Sequence, residues 1–82
     1  MGYHKAKIEK GNIGFSSKIL EELQELMDAE HQGNRVMALC ELSDIIGAIE
    51  AYLAQHYPGF YVGDLQVMSE ATRRAFADGS RK

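Results

Sequence analysis

The chain has 82 residues, 12 acidic against nine basic, with a formal net charge of −3 and one cysteine. That length fits one domain with a limited core, often marginal unless stapled or oligomeric. Cys40 alone excludes an internal disulfide framework and any CxxC metal motif, and the acidic balance argues against the broad basic surface of a general nucleic-acid binder.

Residues 1–15, MGYHKAKIEKGNIGF, read as an irregular arm in which Gly11 and Gly14 act as breakers. The arm lacks the apolar run of a secretory leader, which with the cysteine usage suggests a reducing, cytoplasmic setting. Ser16 or Ser17 is expected to cap a first helix over about 17–31. HQGNR is the break, with Gly33 as a left-handed exit and Asn34 as the next cap. A second helix is expected over 35–56, ended by YPGF, where Pro58 disfavours helix at Tyr57. A third should run over about 62–78, with Gly79 as its breaker. Strand patterning is absent, and no stretch approaches the roughly 20 apolar residues needed to cross a bilayer. The expected fold is all-α: one domain, 1–82, a three-helix unit with a central αα-hairpin, assembling into a helical-bundle dimer or tetramer.

The two central helices carry four notable acids. On the first, Ile19, Leu20, Leu23, Leu26 and Met27 gather on one face, Gln24 and Asp28 on the far, solvated side, and Glu22 and Glu25 on the flank between. On the second, Leu39, Leu42, Ile45, Ile46, Ile49 and Leu53 make a thick apolar face. The opposite side is not polar; it holds Val36, Met37, Cys40, Gly47, Ala48 and Ala51, and Glu41 and Asp44 project from among them. A helix apolar nearly all round is packed on several sides, which puts these two acids in a packed space. An ionised carboxylate there is costly unless paired or metal-bound, and no Lys or Arg lies between Val36 and Thr72. Glu25 and Glu41 are about equally far from the turn near Gly33, so an αα-hairpin would face the two pairs across one cavity. Such an all-oxygen site suits Mg²⁺ or Mn²⁺. The competing reading is a solvated ExxE face together with a tertiary salt bridge from Glu41 and Asp44 to Lys18 or Arg73.

EELQE followed by ELSD, residues 21–44, resembles the EExxE…ExxD signature of the all-α nucleoside triphosphate pyrophosphohydrolases, the MazG superfamily, in its small single-domain bacterial and phage form. The resemblance implies helices paired into a dimer or a dimer of dimers, with Glu22, Glu25, Glu41 and Asp44 binding Mg²⁺. Glu21 matches the first Glu of the motif; it points further outward, which suits a supporting role. The implied reaction is NTP + H₂O → NMP + PPi, with attack at the α-phosphorus and Glu22 as the proton acceptor. Relatives carry a Lys/Asn/Arg set on the third helix, where this chain has SEATRRAF, so that only Arg73 or Arg74 matches. Lys10 and Lys18, flanking the first helix start, are the other candidates for the phosphate tail.

The remaining residues read as structural. His4, His31 and His56 lack metal-ligand spacing and are expected at the surface or in caps. Cys40 is expected as a small core residue. Tyr52, Tyr57, Phe60 and Tyr61 cluster near the second helix end for packing, one of them a candidate to stack on a base. The alternative function is a non-enzymatic helical interaction module whose acids form inter-subunit salt bridges. A third reading, a small DNA-binding regulator, rests on TRRAFADGSRK alone.

Overall fold

The computed structural model describes residues 4–77 and residue 79, which form three helices and, among the described residues, no strand. Helix α1 spans Ser16–Gln32, α2 spans Arg35–His56 and α3 spans Val62–Ala77. Asp78, Arg81 and Lys82 lie outside the described residues. No helix among the described residues is long and apolar enough to cross a membrane.

The breaks follow from local chemistry. Gly33 sits at φ +69°, and its N–H and that of Asn34 return to the carbonyls of Glu30 and Ala29, closing α1. The Asn34 side chain accepts from the Met37 N–H at 3.0 Å and starts α2. Tyr57–Phe60 form a type II turn, with Pro58 at its second position, Gly59 at φ +97°, and the Phe60 N–H on the Tyr57 carbonyl at 3.0 Å. The expected serine cap on α1 is not there. Ser16 is already helical, Phe15 holds the cap position, and the Ser17 hydroxyl accepts from the Asn12 N–H at 3.0 Å. The hydroxyl serves the incoming arm instead of the helix end.

α1 and α2 pack on one another, while α3 touches α2 and not α1. The faces that meet are not the ones the apolar pattern suggests. α1 buries Glu21, Glu22, Asp28 and Ala29, while Leu20, Leu23 and Met27 are exposed. α2 buries Met37, Glu41, Ala48 and Leu53, while Leu39 (68% exposed), Leu42 and Ile46 face outward. Gly47 is exposed, and an added Cβ would meet nothing there. Cys40 is exposed as well, not a core residue. α2 is apolar on two sides; α1 packs against one, and Leu39, Leu42 and Ile46 on the other stay exposed.

The arm is irregular but docked. Phe15 packs edge-on against His56, with ring centroids 5.2 Å apart, and His56 lies against Tyr52 at 4.4 Å. Tyr57 and Phe60 extend this aromatic cluster. His56 is thus at the surface, as expected, while making these ring contacts, and Tyr57 holds the cap position of α2. From Phe15 the arm runs back along α1 toward the Gly33 turn, and the backbone N–H groups of Gly11, Ala6 and Lys5 meet side chains of α1 on the way.

Candidate metal centre

Six carboxylates line the α1–α2 junction beneath the arm, in two sets. The outer set is Glu21 and Glu22, one residue apart on α1. Lys18, a turn earlier, places its ammonium 3.2 Å from Glu21 and 3.0 Å from Glu22. Glu21 also accepts from the Gly11 N–H at 2.8 Å. It is buried, not turned outward as the helix wheel suggests, because the arm covers it. Burial alone would raise the Glu21 carboxyl; the Gly11 N–H and Lys18 outweigh it and hold the group below the usual carboxylate range. Lys18 is raised in turn, first by its bond to Glu22.

The inner set is Glu25, Asp28, Glu41 and Asp44, and the imidazole of His4 reaches the first three of them. Its Nε2 lies 2.9 Å from Oε2 of Glu41 and 3.2 Å from Oε1 of Glu25, and its Nδ1 lies 3.0 Å from Oδ2 of Asp28. The side chain is only 8% exposed, so His4 is no surface residue. Asp28 is not solvated either. It accepts from the backbone N–H groups of Lys5 (3.1 Å) and Ala6 (3.2 Å) and from Gln32 (2.7 Å), besides His4. Burial opposes its ionisation, but those donors, His4 first, keep its carboxyl low.

Glu25 and Glu41 are in the opposite position. Burial, then the neighbouring Glu22 and Glu41 carboxylates, push Glu25 up to about 7 against the partial relief that His4 offers. Burial and Asp44 raise Glu41, again against His4. Oε1 of Glu41 is buried with no hydrogen-bond partner. Donor atoms of Glu22, Glu41 and Asp44 lie within 4.8 Å of one another, as do those of His4, Glu25 and Glu41, and those of Glu21, Glu22 and Glu25. Glu22 and Glu25 from α1 thus reach the same space as Glu41 and Asp44 from α2. A cleft of about 540 Å³ opens onto it, floored by His4, Glu25, Glu41 and Asp44 and walled by Val36, Met37 and Cys40. That volume is within the range of small-molecule sites.

The candidate cations fall elsewhere. Lys18 is committed to Glu21 and Glu22, and the Lys10 ammonium is exposed, 3.9 Å from Glu21. Arg73 pairs with Glu70 at 3.5 Å on α3, and Arg74 is exposed on the same helix. The expected salt bridge from Lys18 or Arg73 to Glu41 and Asp44 is therefore not formed; Glu41 meets His4 instead. No spacing rule could have found it, since it stands 37 residues before Glu41 and 24 before Asp28. The signal available in the sequence was the shortage of cations opposite the acids, with His4 among the few groups able to answer it.

Comparison of the chain with protein-family models, with curated proteins and with solved structures gives no match.

Proposed function

We propose that the chain is a Mg²⁺-dependent nucleoside triphosphate pyrophosphohydrolase, converting (d)NTP and water to (d)NMP and pyrophosphate. The observation that carries this reading is Oε1 of Glu41, buried and unpartnered at the centre of the acidic cluster. Such an oxygen is costly to bury unless something electropositive meets it, so the donor set fits a hard divalent cation. Glu22, Glu25, Glu41 and Asp44 would hold Mg²⁺, with Mn²⁺ as a substitute. When bound, the cation supplies polarisation of phosphate oxygens and a more acidic water.

The chain's own residues supply the rest. The cleft receives the nucleotide with its phosphates toward the acids and its less polar parts along Val36, Met37 and Cys40. Glu22 belongs to two of the acidic groups and is held by Lys18 at 3.0 Å, which fixes its carboxylate to accept the proton of the attacking water. Water adds at the α-phosphorus as the bond to the bridging oxygen breaks, and pyrophosphate leaves. Glu21 fixes Lys18 from the other side. Lys10, exposed on the arm, is assigned to the phosphate tail; Arg73 and Arg74 sit on a helix that does not touch α1 and are not assigned to their own chain's cleft. The EExxE…ExxD resemblance supports the same reaction.

A homodimer or homotetramer belongs to this reading. Among the described residues the buried apolar side chains are few, Ala29, Met37, Ala48 and Leu53, and Leu39, Leu42 and Ile46 lie on one exposed face of α2. A second copy covering that face would complete the core. The same face favours the second reading, a non-enzymatic interaction module. Pyrophosphate release from a panel of NTPs and dNTPs, with Mg²⁺ or EDTA, separates the two. Mg²⁺-dependent release that is lost in Glu41→Gln supports the enzyme; an intact oligomer with no release from any nucleotide favours the module.

A further inference from the structure

We propose that His4 is itself a metal ligand, so that His4, Glu25 and Glu41 form a nitrogen-bearing half of the site that takes a borderline first-row cation such as Co²⁺ or Zn²⁺ in preference to Mg²⁺. This rests on the acidic cluster binding a divalent cation, but not on the nucleotide chemistry.

The tautomer comes first. Asp28 takes two backbone N–H groups and the Gln32 amide, and it faces Nδ1 of His4 at 3.0 Å. An ionised carboxylate can only accept, so Nδ1 carries a hydrogen. Nε2 is left pointing between Oε1 of Glu25 (3.2 Å) and Oε2 of Glu41 (2.9 Å). A bare lone pair aimed at two carboxylates is repulsive; the position calls for a proton or a cation. A carboxylate holding one ring nitrogen while the other faces the ion is the arrangement that orients metal-bound histidines. Here Asp28 is the orienting carboxylate, and it is itself fixed by the arm backbone.

The spacing agrees. The three donor atoms lie within 4.8 Å of one another, and the two Nε2–oxygen distances are those between neighbouring ligands of an ion with bonds of about 2.0–2.2 Å. Burial supplies an independent sign: Glu41 spends Oε2 on His4 and keeps Oε1 buried and unpartnered. The ligand set then decides the ion. Mg²⁺ prefers oxygen donors and near-ideal octahedral geometry, whereas an imidazole with two carboxylates suits Zn²⁺, Co²⁺ and Mn²⁺. The rival is a doubly protonated His4 that fills the cation's place and keeps metal out. The two predict opposite signs for removal of the ring.

The test is calorimetric titration of the full chain with Co²⁺, Zn²⁺ and Mg²⁺, for the native protein, His4→Ala and Asp28→Asn, with ¹⁵N-histidine spectra of the native protein in Co²⁺. Loss of His4 should weaken Co²⁺ and Zn²⁺ at least about tenfold and Mg²⁺ less than about twofold, and loss of the Asp28 charge should weaken Co²⁺ by about tenfold. Nε2 of His4 should show a large paramagnetic shift, which needs no variant to fold. Unchanged or tighter Co²⁺ binding in His4→Ala, or an unshifted His4 resonance, overturns the proposal while native Mg²⁺ binding keeps the acidic site alive. Failure of the native protein to bind any of the three cations overturns both.

Discussion

The backbone N–H of Gly11 lies 2.8 Å from Oε1 of Glu21, and this bond ties the middle of the arm to the acidic face of α1. Gly11 is needed there because a Cβ would collide with the backbone carbonyl of Ser17. Gly11→Ala must therefore lift the arm, withdraw the N–H and leave Glu21 with lysines alone. Loss of a donor to a buried carboxylate costs about 1–3 kcal/mol. Thermal unfolding should show a loss of that size, and amide exchange over residues 4–15 should quicken while α2 keeps its protection. An unchanged exchange rate in the arm would contradict the strap.

The pH dependence of stability follows from the inner set. Glu25, raised from 4.5 to about 7, and Glu41, raised from 4.5, hold protons in the folded chain that the unfolded chain has released. Stability therefore falls as pH rises from about 4.5 through 7. His4 acts in the same sense: against the opposing effect of burial, its bonds to Asp28 and Glu41 raise it above 6.5, and that contribution is full below 6.5 and lost as pH climbs through the folded value. Glu21 and Asp28 are lowered, so their contributions are lost only on acidification below 4.5 and 3.8. In EDTA the melting temperature should peak near pH 5 and decline toward pH 8. Saturating Mg²⁺ should flatten the decline, because the cation replaces the protons. A melting temperature that rises from pH 5 to 8 in EDTA would rule this out.

The helices were legible because their ends are chemical. Gly33, Asn34 and Pro58 mark breaks that local backbone preferences enforce whatever the tertiary context. The faces were not legible. Leu20, Leu23 and Met27 look like a core stripe, yet α1 turns its acids inward, since backbone N–H groups of the arm and Lys18 satisfy Glu21 and Asp28 where an apolar face would leave them unmet. Glu22, Glu25, Glu41 and Asp44 could be suspected from too many carboxylates opposite too few cations. Asp28 and His4 could not, because each looks ordinary until residues 24 and 37 positions apart are brought together.

The exposed face of α2 leads to a statement about assembly. Leu42 and Ile46 are each close to half exposed and Leu39 more so, successive residues lying about one helical turn apart along α2. Leu42→Glu places a charge in the middle of that stripe without touching Met37, Glu41 or Ala48, which face α1. If a second copy covers the stripe, light scattering should show the native chain as a dimer or tetramer and the variant as a smaller species. Helicity by circular dichroism should hold near native values if the monomer survives alone. A variant of native mass would place the interface elsewhere.

Glu41→Gln separates fold from chemistry most cleanly. The side chain keeps its shape, and the amide resembles the protonated carboxyl that burial and Asp44 favour. At pH 8 the change removes a charge that the folded state tolerates poorly; His4 keeps Asp28 at 3.0 Å and Glu25 at 3.2 Å as partners. Melting in EDTA should therefore stay level or rise by a few degrees, equivalent to about 1 kcal/mol or less. The rise in melting temperature that Mg²⁺ gives the native chain should vanish, and pyrophosphate release with it. Asp44→Asn removes one of the charges that raise Glu41, so the EDTA melt should stay level or rise slightly while the Mg²⁺ effect weakens. A Glu41→Gln variant that melts well below the native chain in EDTA would mean that the His4–Glu41 bond holds the fold and that the carboxylate is there for structure.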